Sequence, residues 1–213
     1  MVIYNVDTLL LRANSMIERA LGQPDIQKKL EACHYDANQL AIGKNLLEEL
    51  KRQQKQYNLE FDNKNEFLEV IQKDQKVAYA AYIQHQKTIK EALNDTPGLE
   101  KALNLDGSKS LQSDGWLDQA ILFYKNIDLI VKDLNAYGLG KAELAQSKAM
   151  IEALKDAQQM QKKLQKKAHE ATMKRDKALN ELQQWMYRFN TIAQIAMHDD
   201  VQTLEVLGIE LES

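Results

Sequence analysis

Apolar residues recur at alternating steps of four and three positions across residues 150–196. The positions are Met150, Leu154, Ala157, Gln161, Leu164, Ala168, Ala171, Arg175, Ala178, Leu182, Trp185, Phe189, Ile192 and Ala196. Only Gln161 and Arg175 interrupt the apolar series, and no Gly or Pro occurs between positions 141 and 207. Such a seam keeps one stripe of a helix facing a neighbour, so it predicts long helices packed side by side.

Helix signals also mark the first part of the chain. A first helix is predicted after a cap at Asp7, and a second is predicted from Pro24, because proline suits a first helical turn. Asp36 precedes Gln39 by three residues, which is the spacing of a capping box. This pair predicts that a third helix begins at Ala37.

The second part of the chain is punctuated in a similar way. Residues 106–110 have the composition of a linker, and a helix is predicted from residue 116 to about 136. Gly138 should stop that helix, because glycine readily adopts the left-handed conformation at helix ends. An aspartate at position 199 or 200 is predicted to cap a last short helix, which Gly208 ends.

The first half of the chain matches the second when it is shifted forward by 104 positions. Matching pairs include Leu30 with Leu134, Leu40 with Leu144, Leu50 with Leu154, Ala92 with Ala196 and Leu103 with Leu207. The predicted breaks match as well, since residues 34–36 fall on residues 138–140. The offset predicts an internal duplication, with one helical repeat unit over residues 1–106 and a second over residues 107–213.

Each half would contain one long stretch without Gly or Pro, and two folds are open for it. The stretch can be a hairpin of two helices, with tips near residues 62–65 and 166–169, or one unbroken helix. The unbroken seam favours a single helix, whereas the rarity of helices above about 40 residues favours the hairpin. We favour the hairpin. The expected fold is therefore all-α, with two duplicated antiparallel, three-helix, coiled-coil-like units, each closed by a short terminal helix.

Part of the chain resembles a family of uncharacterised bacterial all-helical proteins. The resemblance lies in Ala171, Arg175, Asp176, Ala178, Leu182, Trp185, Phe189, Ile192, Ala193, Ile195, Ala196 and the segment Leu204-Glu205-Val206-Leu207-Gly208-Ile209. The linker pattern around Leu103, Asp106, Gly107, Gly115, Trp116 and Phe123 is similar too. The family carries an analogous segment twice, so the resemblance implies a repeat and implies no particular chemistry.

Composition argues against several classes of protein. The 213 residues are 44% hydrophobic and 28% charged, with a net charge of -3, so no overall basic charge points to nucleic acid or an anionic membrane. We expect no membrane span, because no apolar run approaches the roughly 20 residues required. The single Cys33 cannot form an internal disulfide, and no secretion signal is evident. These features predict a cytoplasmic protein.

No motif for catalysis, metal or cofactor binding stands out. Glu31 and His34 have the Glu-x-x-His spacing of di-iron bundles, but the second such pair that those sites need is missing. The same place reads equally as a helix end. His85 lies on the seam of the first half, where a packed histidine is expected. His198 lies beside two aspartates that suit helix capping. We therefore expect no cofactor, and the sequence gives an enzyme no positive support.

Charge is unevenly placed along the two predicted long stretches. Residues 162–174 carry five lysines against one glutamate: Lys162, Lys163, Lys166, Lys167 and Lys174. The matching span of the first half, residues 58–70, is acidic through Glu60, Asp62, Glu66 and Glu69. Three interpretations are open: solvated helix tips, a nucleic-acid-binding stripe on the basic span, or pairing of the acidic span with the basic one within or between molecules.

The sequence thus predicts a non-enzymatic helical interaction or scaffold protein that binds a protein partner or itself. Self-association is suggested by the number of large aromatic residues for a thin bundle, namely Trp116, Phe123, Tyr124, Trp185, Tyr187 and Phe189. One alternative is an enzyme or metal or cofactor binder with a site between the two units, around His34, His85 or His198. Another is nucleic-acid binding through Lys162 to Lys174, which the lack of aromatic residues there disfavours.

Overall fold

The computed structural model describes residues 5–92, 98, 103, 115–127, 134 and 137–209. Six helices are defined in these ranges: α1 (Val6–Gly22), α2 (Pro24–Ala32), α3 (Ala37–Ala92), α4 (Gly115–Asn126), α5 (Lys141–Ala196) and α6 (Val201–Leu207). The described residues contain no strand, so the prediction of an all-α protein is confirmed. The linker at residues 106–110 and most of the segment 128–136 lie outside the described residues.

The long stretches are single helices, and the hairpin prediction is wrong. Helices α3 and α5 have 56 residues each and begin 104 positions apart. Both run without interruption through the expected tips at residues 62–65 and 166–169. The tips contain polar residues but no Gly or Pro, so nothing there breaks the backbone hydrogen bonds of the helix. The continuous seam was the better guide to the fold.

The chain forms two compact units, and each takes a part of both long helices. Unit 1 comprises Met1–Phe61 and Lys167–Ser213, whereas unit 2 comprises Asp62–Lys166. The predicted boundary between repeat halves, at residues 106 and 107, lies outside the described residues and stays a prediction. In unit 1, α3 and α5 are antiparallel, because Gly43 lies against Trp185 whereas Tyr57 lies against Arg175.

Helix ends follow the local signals in the sequence. Asp36 accepts hydrogen bonds from the backbone N–H groups of residues 38 and 39, as its predicted capping role requires. Helix α1 is capped two residues earlier than predicted, by Asn5 instead of Asp7. Helix α2 ends at Ala32, and His34, two residues further on, has a left-handed φ of 59°. Here the Tyr35 N–H donates to the Leu30 carbonyl at 3.0 Å, which closes the helix end.

Burial along the long helices follows the predicted seams. Every seam position of α5 between residues 150 and 196 is buried or half-buried. The matching positions of α3 are buried or half-buried as well, except Asp74. The four-three spacing therefore identified the inward faces of both helices, including positions occupied by polar residues such as Gln161 and Arg175. A long side chain can bury its stem at such a position while its polar end reaches solvent.

Most of the large aromatic residues are buried inside their own unit. Trp116, Phe123 and Tyr124 belong to the core of unit 2, and Trp185 and Phe189 belong to the core of unit 1. Only Tyr187 of the six is exposed, at 75% of its surface. Five of the six therefore fit inside the two units, and only Tyr187 of this set is left on the surface for a contact with another molecule.

Helix α6 closes unit 1 through contacts at both of its ends. Asp200 caps it by accepting from the Thr203 N–H at 3.1 Å and also pairs with the Lys29 ammonium of α2 at 2.5 Å. At the other end, Arg19 and Arg12 of α1 donate to the carbonyls of residues 206 and 208. The predicted aspartate cap and glycine end are confirmed, because Gly208 has a φ of 75°.

The Asp200 carboxylate should make unit 1 sensitive to acid. Its hydrogen bonds from Lys29 and Thr203 lower its pKa to about 2. An unfolded Asp has a pKa near 3.9, so this stabilisation is complete above about pH 4 and is lost as the pH falls towards 2. Asp200→Asn preserves a capping oxygen but removes the charge. We expect this variant to have a lower free energy of unfolding than the parent at pH 6, and we expect the difference between the two proteins to shrink as the pH falls towards 2. Urea unfolding across this range, with Asp199→Asn as control, measures the effect. A constant deficit would contradict the assignment.

Candidate functional site

Within unit 1, α3 and α5 continue past the end of the hydrophobic core and form a stretch of two helices. The core of unit 1 reaches Leu50 on α3 and Ala178 on α5. We call residues 51–61 and 167–177 the two-helix stretch. Its seam on α3 is polar or aromatic and half-buried, whereas the facing α5 positions 168 and 171 are buried alanines. Small residues on one helix opposite long side chains on the other leave space between them.

Arg175 and Tyr57 close the inner side of this stretch. The guanidinium carbon of Arg175 lies 4.0 Å from the centre of the Tyr57 ring, which is within cation–π distance. The same guanidinium donates to Asp176 Oδ1 at 2.6 Å. The Tyr57 ring also stacks on the Phe61 ring, with centroids 5.5 Å apart. Arg175 is tolerated in the otherwise apolar seam because an aromatic face and a carboxylate compensate its charge.

A groove of about 420 Å³ opens between the two helices of the stretch. Its lining consists of polar and charged side chains with one alanine: Arg52, Gln53, Gln56 and Glu60 from α3, and Lys167, Glu170, Ala171 and Lys174 from α5. Glu60 accepts a hydrogen bond from Gln56 Nε2 at 2.7 Å, and Arg52 pairs with Glu49 at 2.6 Å. In the described part of the chain, Lys167 and Lys174 have no ion-pair partner.

The two-helix stretch is basic although the protein is acidic. It holds seven Lys and Arg residues, at positions 51, 52, 55, 167, 174, 175 and 177, against three acidic residues, at positions 60, 170 and 176. Its formal charge is therefore +4, within a chain of net charge -3. Such a local excess attracts an acidic surface and accelerates its encounter.

The predicted site residues fall in two places. Glu60, Lys167 and Lys174 are brought together in the groove of unit 1. The remaining residues lie exposed on the parts of α3 and α5 that belong to unit 2, namely Asp62, Glu66, Glu69, Lys162, Lys163 and Lys166. The sequence missed Arg52, Gln53, Gln56 and Glu170 of the groove. Pairing the α3 and α5 seams in antiparallel orientation would have identified these residues as neighbours. The hairpin prediction did not consider this pairing.

His85, one of the candidate histidines, is packed inside unit 2. His85 is buried in unit 2, where its Nδ1 lies 2.9 Å from the Tyr124 hydroxyl and its Nε2 lies 3.3 Å from a Glu143 carboxylate oxygen. Because the Glu143 carboxylate accepts, His85 Nε2–H donates and Nδ1 accepts from Tyr124. Burial raises the pKa of Tyr124, so its hydroxyl stays protonated and can donate. Both ring nitrogens are thus occupied, as expected for a packed seam histidine.

The other candidates for chemistry are not gathered into a cluster. His34 is exposed at the end of α2, as the helix-end interpretation of that segment predicts. His198 is exposed and lies 2.7 Å from the neighbouring Asp199. In the described ranges, no group of three or more His, Cys, Asp or Glu residues could hold a metal ion.

Comparisons with protein-family models, with curated proteins and with solved structures found no match for this chain. Among the described residues, no helix has the length and apolar character needed to cross a membrane. The resemblance to a bacterial family of helical repeats remains an expectation from the sequence. The function must therefore be argued from the surface chemistry of the two units.

Proposed function

We propose that the protein is a non-enzymatic helical interaction protein, built from two copies of one helical unit, that binds an acidic helix of a protein partner in the groove of unit 1. The observation that carries the proposal is the charge of +4 on the two-helix stretch. The predicted cytoplasmic location is part of the same proposal and rests on the sequence alone.

The proposed duplication is supported by positions in the structure. The two long helices have equal length and begin 104 residues apart. The left-handed residues His34 and Gly138, which precede them, are also 104 positions apart. A shared ancestral unit accounts for both coincidences, and it leaves each copy free to acquire different surface charges.

Binding of a helix is supported by two exposed apolar residues in the two-helix stretch. Leu59 on α3 is 53% exposed and Met173 on α5 is 61% exposed, so both can be covered by an apolar helix face. Lys167 and Lys174 would meet carboxylates on the flanks of that helix.

A protein helix fits this groove better than nucleic acid does. Glu60 and Glu170 line the groove, where they would repel a phosphate backbone. The Tyr57 ring is covered by Arg175 and is not available to stack on a base. A partner helix can place a basic residue against Glu60, whereas a phosphate chain cannot.

The proposal is tested with a synthetic amphipathic helix that carries leucines on one face and glutamates on its flanks. We expect fluorescence anisotropy to show saturable binding that weakens as salt concentration rises. The variant Lys167→Glu/Lys174→Glu should weaken binding by at least about tenfold, because it turns two attractions between opposite charges into two repulsions between like charges. The control Lys28→Glu/Lys141→Glu changes net charge equally at exposed lysines outside the groove and should bind as the parent does.

Two outcomes would contradict the proposal. One is equal weakening by the groove variant and the control, because net charge alone would then explain binding. The other is tighter binding of a single-stranded oligonucleotide than of the synthetic helix, if that binding is lost in both double-lysine variants and at raised salt concentration. A polyanion would then be the better ligand. Circular dichroism of each variant verifies that the helices are retained.

A further inference from the structure

Unit 2 exposes an acidic stripe on the continuation of α3. Asp62, Glu66 and Glu69 lie on one face of the helix together with Val70 and Val77. At 100° per residue, these five positions fall within a sector of roughly 100°, which also contains the exposed Lys73, so this face carries three carboxylates and one lysine. Each valine is 54% exposed. We call these five residues the acidic stripe.

We propose that the acidic partner of the groove is a second copy of this chain, whose acidic stripe binds the two-helix stretch of unit 1. This inference rests on the proposed function, because it takes the groove as the docking surface and names its ligand. It also gives the predicted pairing of acidic and basic spans a definite form, between molecules.

The spacing of charges on the two surfaces agrees. Lys167 and Lys174 are seven residues apart, and Asp62 and Glu69 are seven residues apart. Seven residues span about 10.5 Å along a helix, so two helices laid side by side can bring both lysines opposite both carboxylates. None of these four side chains has an ion-pair partner in the described part of the chain.

Both surfaces also expose apolar residues. Val70 and Val77 form a narrow apolar line beside the carboxylates, whereas Leu59 and Met173 are exposed on the two-helix stretch. Covering such residues removes apolar surface from water, while the facing charges fix the register of the helices. The contact joins two different surfaces of the same chain, so every copy offers one donor surface and one acceptor surface.

Charge exchange between two variants of the full-length chain tests this contact. We expect sedimentation velocity to show concentration-dependent association of the parent protein at low salt, which raised salt weakens. The groove variant Lys167→Glu/Lys174→Glu and the stripe variant Asp62→Lys/Glu69→Lys should each sediment as monomers, because like charges then face each other. An equimolar mixture should associate again, since each groove meets a stripe of opposite charge.

The control and the contradicting outcomes separate the two proposals. Lys28→Glu/Lys141→Glu should associate as the parent does. Association that persists in both single-surface variants, or a mixture that stays monomeric, overturns the inference. A parent protein that is monomeric at every concentration but still binds the synthetic acidic helix overturns self-association and leaves the proposed function intact. Loss of both kinds of binding overturns both proposals.

Discussion

Replacing Phe189 by alanine should lower the free energy of unfolding by about 3–5 kcal/mol, which is the range for a large aromatic residue removed from a packed core. Phe189 is fully buried in unit 1. Its ring stacks on Trp185 with centroids 5.3 Å apart and meets Tyr35 edge-on at 5.7 Å. Alanine would leave a cavity that these two rings cannot fill without losing contacts of their own. Equilibrium urea unfolding measures the loss.

The matched control lies two residues away on the same helix. Tyr187 is 75% exposed, so Tyr187→Ala should change stability by no more than about 0.5 kcal/mol. The comparison keeps helix, residue class and approximate position the same and changes only burial. Equal losses of stability from the two substitutions would show that the face of α5 that carries Phe189 is not the face buried in the core of unit 1.

Gly43→Ala should also destabilise the protein, by about 2 kcal/mol. A Cβ at Gly43 would lie 2.2 Å from Cζ2 of Trp185, far inside van der Waals contact. The indole cannot withdraw freely, because its Nε1–H donates to the Gln39 carbonyl at 3.1 Å. Overpacking of this kind costs about 1–3 kcal/mol or more, and the better helix propensity of alanine recovers at most about 1 kcal/mol. Thermal and urea unfolding should both show the loss.

A second glycine and a second substitution isolate the steric cause. Gly22 lies in α1, and a Cβ there meets nothing within 4 Å, so Gly22→Ala should be neutral or slightly stabilising. Trp185→Phe removes the larger ring system that lies over Gly43. The double variant should therefore lose less than the sum of the single variants. Strict additivity would show that Gly43 does not serve to admit the indole.

The sequence was most informative where local chemistry decides the outcome. The four-three seam identified the inward faces of both long helices because helical periodicity does not depend on which partner covers the face. Asp36 and the aspartate before α6 marked helix ends through hydrogen bonds made within a few residues. The packed role of His85 followed from its place on the seam.

The sequence was least informative about pairing between distant segments. Nothing in the seam of α5 states which residues of α3 lie opposite, so the approach of Trp185 to Gly43 could not be predicted. The groove depends on the same register, because Arg52 and Lys174 are brought together only by antiparallel packing of two helices. The hairpin error arose from weighing the rarity of long helices above the absence of any breaker.

The sharing of α3 and α5 between the two units has a consequence for how the protein is made. Unit 2 consists of a continuous segment that ends at Lys166, so all of it has been synthesised before the last part of the chain exists. Unit 1 needs both the first and the last segments, since α6 packs on α1. The first helices must therefore remain with their apolar faces uncovered through most of translation, and a chaperone that covers these faces would act in that period. A chain whose translation ends early would lack the last segment and could not complete unit 1.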